Sequence, residues 1–255
     1  MQSQSFGMSH PGMIRKENED HFLNDDQEGL YLVADGLGGY ARGDVASRMA
    51  VESIAAFIRN SRKEGIPWPI RPQRRYGLEE NRFLAAISLA NGDIFHEFQE
   101  MQHASPMGTT LTGILVDGKR LVIANIGDSR VYRFRNNELD LLTRDHSLVM
   151  EEVKQGRLTH EQARIHPQKH VITRALGISE PVEADLSTAD PLPGDLYLLC
   201  SDGLSDMLSH GEILRLIREG RMGPLKEIGK VLVDAANDAG GADNITVVLV
   251  RFTPG

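Results

Sequence analysis

Two hydrophobic rhythms alternate along the 255-residue chain. Residues 29–34 form a short apolar run that ends in Asp35-Gly36-Leu37-Gly38-Gly39, which predicts a strand leading into a turn. A helix is expected over 44–58, with Val45, Met49, Ala56 and Phe57 on its inner side. Phe83, Ile87, Ala90, Ile94, Phe98 and Met101 recur three or four apart, the buried stripe of a second, longer helix. Between the two, residues 59–75 hold Pro67, Pro69 and Pro72, which excludes regular helix.

The middle of the chain reads as a β-meander. Runs at 110–116, 121–126, 129–135 and 139–142 are apolar or alternating. Asp117-Gly118-Lys119 and Asn136-Asn137 supply hairpin turns, which join only antiparallel neighbours. A polar excursion follows at 147–173, expected as a surface flap. Strands return at 195–201 and 245–252. Between them, Ser209-His210-Gly211-Glu212 has capping-box spacing ahead of one helix, and Pro224 opens another that stops at Gly240-Gly241. Antiparallel strands with helices in pairs predict an α+β fold. Its expected form is two packed antiparallel β-sheets flanked by pairs of helices, in a single domain over 1–255.

Charge narrows the partners. Thirty-six acidic against 28 basic residues give a net charge of -8, which argues against nucleic-acid and anionic-membrane binding. Residues 59–75 run the other way, at about +5. That stretch is either a solvated loop pinned by Trp68 or a contact for an acidic or phosphorylated partner. The single cysteine, Cys200, excludes an internal disulfide and a multi-cysteine zinc site. His146, His160, His166 and His170 match no standard zinc spacing. The N-terminus is polar, without an apolar leader segment, and the longest apolar runs are five residues. A soluble, cytoplasmic protein is expected.

The chemistry lies in aspartates at strand ends. Asp35, Asp128 and Asp202 each follow an apolar run and adjoin a glycine, and Asp243 sits just before another run. A carboxylate at the lip of a buried strand is costly unless hydrogen-bonded or bound to a cation. Any one of them could form a turn. Four, on strands sharing two sheets, favour a hard-oxygen site for Mg²⁺ or Mn²⁺. Two such ions can activate water and balance the charge of a phosphoryl group. Arg15, four and five residues ahead of Glu19 and Asp20, offers a planar fork to phosphate oxygens, or belongs to an exposed charged stretch.

These elements appear in a fixed order. The set is Arg15…Asn18-Glu19-Asp20, Val33-Ala34-Asp35-Gly36-Leu37-Gly38-Gly39, Gly108-Thr109-Thr110, Asn125-Ile126-Gly127-Asp128-Ser129-Arg130, Asp145-His146-Ser147, Arg174-Ala175-Leu176-Gly177, Cys200-Ser201-Asp202-Gly203-Leu204 and Asp243-Asn244-Ile245-Thr246. It resembles the bacterial branch of the metal-dependent serine/threonine protein phosphatases, type 2C. The resemblance implies hydrolysis of phosphoserine and phosphothreonine in proteins by direct attack of metal-bound hydroxide. Asp35 would bridge two Mn²⁺ or Mg²⁺ ions, Gly36 would lend its carbonyl to the first, and Asp202 and Asp243 would complete the second. Asp128 with Asp202 would match a third, weaker site, and Glu19 and Asp20 would act through metal waters. Arg15 would hold the substrate phosphate.

The implied partners are phosphorylated proteins, substrates of a Hanks-type serine/threonine kinase, met by a monomer. Leu37 stands where many eukaryotic relatives carry a histidine considered a general acid, so the resemblance leaves the proton donor open, with a metal-bound water, His21 and His146 as options. A two-metal nuclease and a catalytically dead phosphopeptide-binding module are the rival readings. The acidic charge opposes the first, and intact Asp35, Asp202 and Asp243 oppose the second.

Overall fold

The computed structural model describes residues 1–37, 42–63, 66–100 and 107–254; Gly38, Gly39 and Met101, named above, lie outside them. The chain begins with β1 (Gln2–His10), β2 (Asp20–Asp25), β3 (Leu30–Leu37), α1 (Gly43–Ser61) and α2 (Leu78–Glu100). The hairpin region holds β4 (Gly108–Thr109), β5 (Leu111–Asp117), β6 (Arg120–Ile126), β7 (Arg130–Arg135) and β8 (Glu138–Leu141). Next come α3 (Leu148–Lys154), α4 (His160–Arg164), β9 (Asp185–Ala189) and β10 (Leu196–Cys200). The last elements are α5 (Asp202–Ser205), α6 (His210–Gly220), α7 (Leu225–Asp238) and β11 (Ile245–Thr253).

Two antiparallel sheets result. One has the order β1-β11-β10-β7-β8, and the other β2-β3-β5-β6-β9 with β4 against β3. The period of two along each strand sorts the core into three layers. Leu30, Leu32 and Ala34 of β3 pack with α1 and α2 residues such as Ile54, Ile58, Phe83 and Ile87. Leu198, Cys200, Val247 and Leu249 pack with Ile213, Ile217, Ile228 and Leu232 of α6 and α7. Tyr31 and Val33 face Leu199, Val248 and Val250 across the gap between the sheets. Each fully buried aliphatic side chain contributes about 1.5–3 kcal/mol, which holds helix pairs on both outer faces of the sandwich.

Local signals translate directly. Ser209 caps α6 by accepting from Glu212 N, while Glu212 accepts from Ser209 N at 2.7 Å. Pro224 is the N-cap of α7, and Gly240 and Gly241 leave that helix with positive φ. Asn136 and Asn137, both at positive φ, turn β7 into β8. Trp68 is half-buried edge-on to Phe57, with Arg82 over its ring. That anchors the chain between α1 and α2 as expected.

Three expectations are corrected. The buried face of α1 is Ala46, Ala50, Ile54, Phe57 and Ile58; Val45 and Met49 are half-buried at its edge and Ala56 is exposed. α1 also runs to Ser61, so residues 59–61 are helical because the prolines begin only at 67. The meander breaks between β6 and β7, which lie in different sheets. Both hairpins flanking that break are present, so the chain makes two hairpins and crosses the sandwich between them. The excursion at 147–173 contains α3 and α4 and is closed at its base by a bridge between Ser147 and Ile172. Among the described residues no helix is long and apolar enough to cross a membrane.

Candidate active site

The parity of β3 places Asp35 on the same face as Tyr31 and Val33, between the sheets. Those two are fully buried, while Asp35 is half-buried where the layer opens to solvent. Its main-chain N–H donates to Thr110 Oγ1 at 3.0 Å, and Thr110 Oγ1 is 2.8 Å from Ser129 Oγ. Thr110 thereby ties Asp35 to the β6–β7 crossover that carries Asp128. Gly127 makes that crossover possible: its φ is +98°, and a Cβ there would sit 2.6 Å from Thr110 Cγ2. Gly127 is held further by its carbonyl, which accepts from His146 N at 2.8 Å, and by its N–H, which donates to His146 Nδ1 at 3.2 Å.

The other sheet brings the remaining carboxylates. Asp202 opens α5 directly after β10, and Asp243 precedes β11, the strand beside β10. Asn244 organises the rim. Its amide donates to the Pro11 and Glu17 carbonyls, its side-chain oxygen accepts from Glu19 N, and its own N–H donates to Asp243 Oδ1. That clamp delivers Arg15, whose guanidinium donates to Asp243 Oδ2 at 2.7 Å. Gly36 lies so close to Gly43 that a side chain there would strike the Gly43 carbonyl.

Arg15, Glu19, Asp35, Gly36, Asp128, Asp202 and Asp243 thus line one cleft of about 690 Å³. Its electrostatics are those of crowded carboxylates. Burial, then Asp20, Asp202, Asp128 and Asp243, raise the Asp35 carboxyl well above its usual range. Burial and the neighbouring Asp202 and Asp145 push Asp128 up to about 8. Burial with Asp206 and Asp243 raises Asp202 to about 6, although a hydrogen bond with Asp35 opposes the shift. The hydrogen bond to Asp243 raises Arg15.

Two sequence candidates sit differently. Asp20 is the cross-strand partner of Asp35 but lies behind the cleft, buried, with Oδ2 accepting from Ser201 Oγ at 2.8 Å and Thr246 Oγ1 at 2.7 Å. Its Oδ1 has no partner among the described residues, and burial pushes the carboxyl up to about 7. Glu19 reaches the cleft edge and accepts from Gly43 N. Leu37 lines the cleft and has no proton to give. His21 bonds Ser47, and His146 is tied to Gly127 and Asp185, so neither lines the cleft.

Sequence reading missed Asp206 and Lys169, and it set His170 aside because the histidine spacing fits no zinc pattern. Asp206 lies one helical turn beyond Asp202, and Lys169 reaches it at 2.8 Å from the excursion. His170, Asp202 and Asp206 each bring a ligand atom within 4.8 Å of the others. The four-residue spacing in Asp202-Gly203-Leu204-Ser205-Asp206 was a usable signal for Asp206. Nothing local marked Lys169 or tied His170 to this cleft.

Oxygen donors that raise one another's pKa fit divalent cations, since ions among them replace repulsion with attraction, and the all-oxygen set suits Mn²⁺ or Mg²⁺. The family profile of protein phosphatase 2C matches residues 15–246. The chain belongs to the protein phosphatase 2C family. Among its relatives, the serine/threonine phosphatase stp of Listeria welshimeri is 38% identical over 243 residues, 94% of this chain and 92% of that protein. The crystal structure of the Mycobacterium tuberculosis serine/threonine phosphatase PstP superimposes with a TM-score of 0.87 at 35% identity, covering 100% of both chains. A structure of the PstP catalytic domain with two manganese ions gives 0.84 at 34% identity, covering 99% of each chain. As a protein phosphatase 2C member the chain is a serine/threonine phosphatase, a hydrolase dependent on manganese or magnesium.

Proposed function

We propose that this protein phosphatase 2C chain dephosphorylates phosphoserine and phosphothreonine in cytoplasmic proteins, as a monomer opposing a Hanks-type bacterial serine/threonine kinase. The observation that carries the reading is the meeting of Asp35, Asp128, Asp202 and Asp243 with Arg15 in one cleft. Asp35 would bridge two ions, the Gly36 carbonyl would serve the first, and Asp202 and Asp243 the second. Asp128 with Asp202 would hold a third, looser ion, with Glu19 and Asp20 acting through water. When bound, such ions supply a nucleophile by lowering the pKa of water and offset the charge of the phosphoryl group.

The chain's own groups do the rest. Arg15 uses one nitrogen on Asp243 and leaves the remainder of its fork for phosphate oxygens. Thr110 and Ser129 tie together the backbone positions from which Asp35 and Asp128 project, which limits reorganisation of the main chain as charge develops. A panel of phosphoserine and phosphothreonine peptides, assayed in parallel with Mn²⁺, Mg²⁺ and chelator, tests the reading. Phosphate release from those peptides only with the ions is expected; release from none of them would overturn it.

Two variants separate roles within the cleft. Arg15→Ala should raise KM for a phosphopeptide by about tenfold, with a smaller rise in Arg15→Lys, because lysine lacks the fork. An unchanged KM with lost Mn²⁺ affinity would reassign Arg15 to holding Asp243. Asp128→Ala should leave the melting temperature unchanged or raised, since removing one crowded carboxylate relieves repulsion from Asp202 and Asp145. Turnover should fall by roughly 10²-fold, the range of a lost proton-transfer contribution, because Asp128 would help hold an ion that makes water acidic where Leu37 offers no proton. A variant destabilised by about 1 kcal/mol with normal turnover would make Asp128 a turn cap instead.

A further inference from the structure

A second cavity of about 640 Å³ opens from the cleft, sharing Asp128, Lys169, His170, Asp202 and Asp206 with it. It lies between the body and the 147–173 excursion. Its floor is apolar, with Tyr132 of β7, Val149 of α3, Ala163 of α4 and Leu208 all buried. Its rim carries Arg144, Lys154 and Arg164, each exposed and none in an ion pair among the described residues. Inside the same cavity Arg130 is forked onto Asp145 and Lys169 is paired with Asp206. The unpaired cations are therefore confined to the outer rim, in a chain whose net charge is -8. A pocket of this size with an apolar floor and a few convergent charges has the form of a binding site.

We infer that this cavity is the subsite for substrate residues flanking the phosphorylated serine or threonine, and that it selects an apolar side chain accompanied by carboxylates. The inference rests on the phosphatase reading of the adjoining cleft. With the phosphate at the acidic inner end, the neighbouring peptide passes beneath α3 and α4. There an apolar side chain reaches Tyr132 and Leu208, and acidic side chains meet Arg144, Lys154 and Arg164. Rim charges of this kind act through complementarity and are screened by salt. A small aryl phosphate does not extend into the subsite and ignores it.

The experiment compares two phosphothreonine peptides with identical central residues, one flanked by leucine and glutamate and the other by serine and lysine. Para-nitrophenyl phosphate serves as the small substrate, all with Mn²⁺. The wild type is expected to favour the acidic peptide by about tenfold or more in kcat/KM, with the preference shrinking as salt is raised. In the triple variant Arg144→Ser/Lys154→Ser/Arg164→Ser the preference should fall to within about twofold through KM, with para-nitrophenyl phosphate turnover unchanged. The single variant Lys154→Glu, on the exposed last turn of α3, should weaken the acidic peptide alone and guards against misfolding of the triple variant. Equal use of both peptides by the wild type, or a preference that survives the triple variant, overturns the subsite while leaving the phosphatase reading intact. Absence of Mn²⁺-dependent turnover of all three substrates by the wild type would instead remove the phosphatase reading, and the subsite with it.

Discussion

Replacing Asp202 by asparagine is expected to lower phosphopeptide turnover by at least about 10²-fold, a barrier increase of roughly 2.7 kcal/mol. Asp202 sits where the cleft and the second cavity meet, bonded to Asp35 and close to Asp206, Asp243 and His170. Asparagine keeps the size and the main-chain bond that starts α5, in which Asp206 N donates to the Asp202 carbonyl. Only the charge is lost. The fold should therefore survive, and the melting temperature measured alongside turnover will show whether it does. Asp243→Asn should lose rate to a similar degree and also release the Arg15 guanidinium. Wild-type rates in Asp202→Asn would move the reaction centre elsewhere.

Manganese should raise the melting temperature, and by more at pH 8 than at pH 5. The carboxyls of Asp202, Asp20 and Asp128, pushed up to about 6, 7 and 8, lie above the ordinary aspartate value near 3.8 in the unfolded chain. A raised folded pKa means the folded state holds its proton longer. The stability linked to that proton is complete below about pH 4 and is lost as pH climbs through about 6 to 8. Ions that replace the protons remove this decline. At a hundred times the dissociation constant, binding is worth about 2.7 kcal/mol. For a chain of this size that corresponds to about 5–10 °C. Excess EDTA should abolish turnover of para-nitrophenyl phosphate and phosphopeptide. Undiminished turnover in EDTA, or a melting temperature indifferent to Mn²⁺ at pH 8, would contradict the carboxylate site.

Elements built by local interactions were legible in the sequence. The α2 stripe, the α6 capping box and the Asn136-Asn137 turn each depend on residues within a few positions of one another, and each is present. Strands held by distant partners were not. β1, beginning Gln2-Ser3-Gln4-Ser5, has no apolar run, and its pairing comes from β11, with Gln2 opposite Thr253. β2 and β9 are sheet edges whose polar residues carry little period-two contrast. The passage from β6 to β7 uses the turn chemistry of a hairpin, so only the global pairing reveals that it changes sheets. The same division holds in the cleft. Asp35, Asp128, Asp202 and Asp243 could be picked out one strand end at a time. Lys169 and His170 depend on how the excursion folds back over α5, which no nearby residue encodes.

The pairing of β1 with β11 governs how the molecule comes into being. β11 lies between the first strand and β10, so the five-stranded sheet cannot close until β11 itself has left the ribosome. Joining residues so far apart makes the contact order high and the folding barrier correspondingly steep. Asp243 and the Asn244 clamp arrive with that same last strand. A chain without this segment lacks both Asp243 and the anchor for Arg15. Sheet closure and completion of the cleft therefore depend on the same stretch of chain.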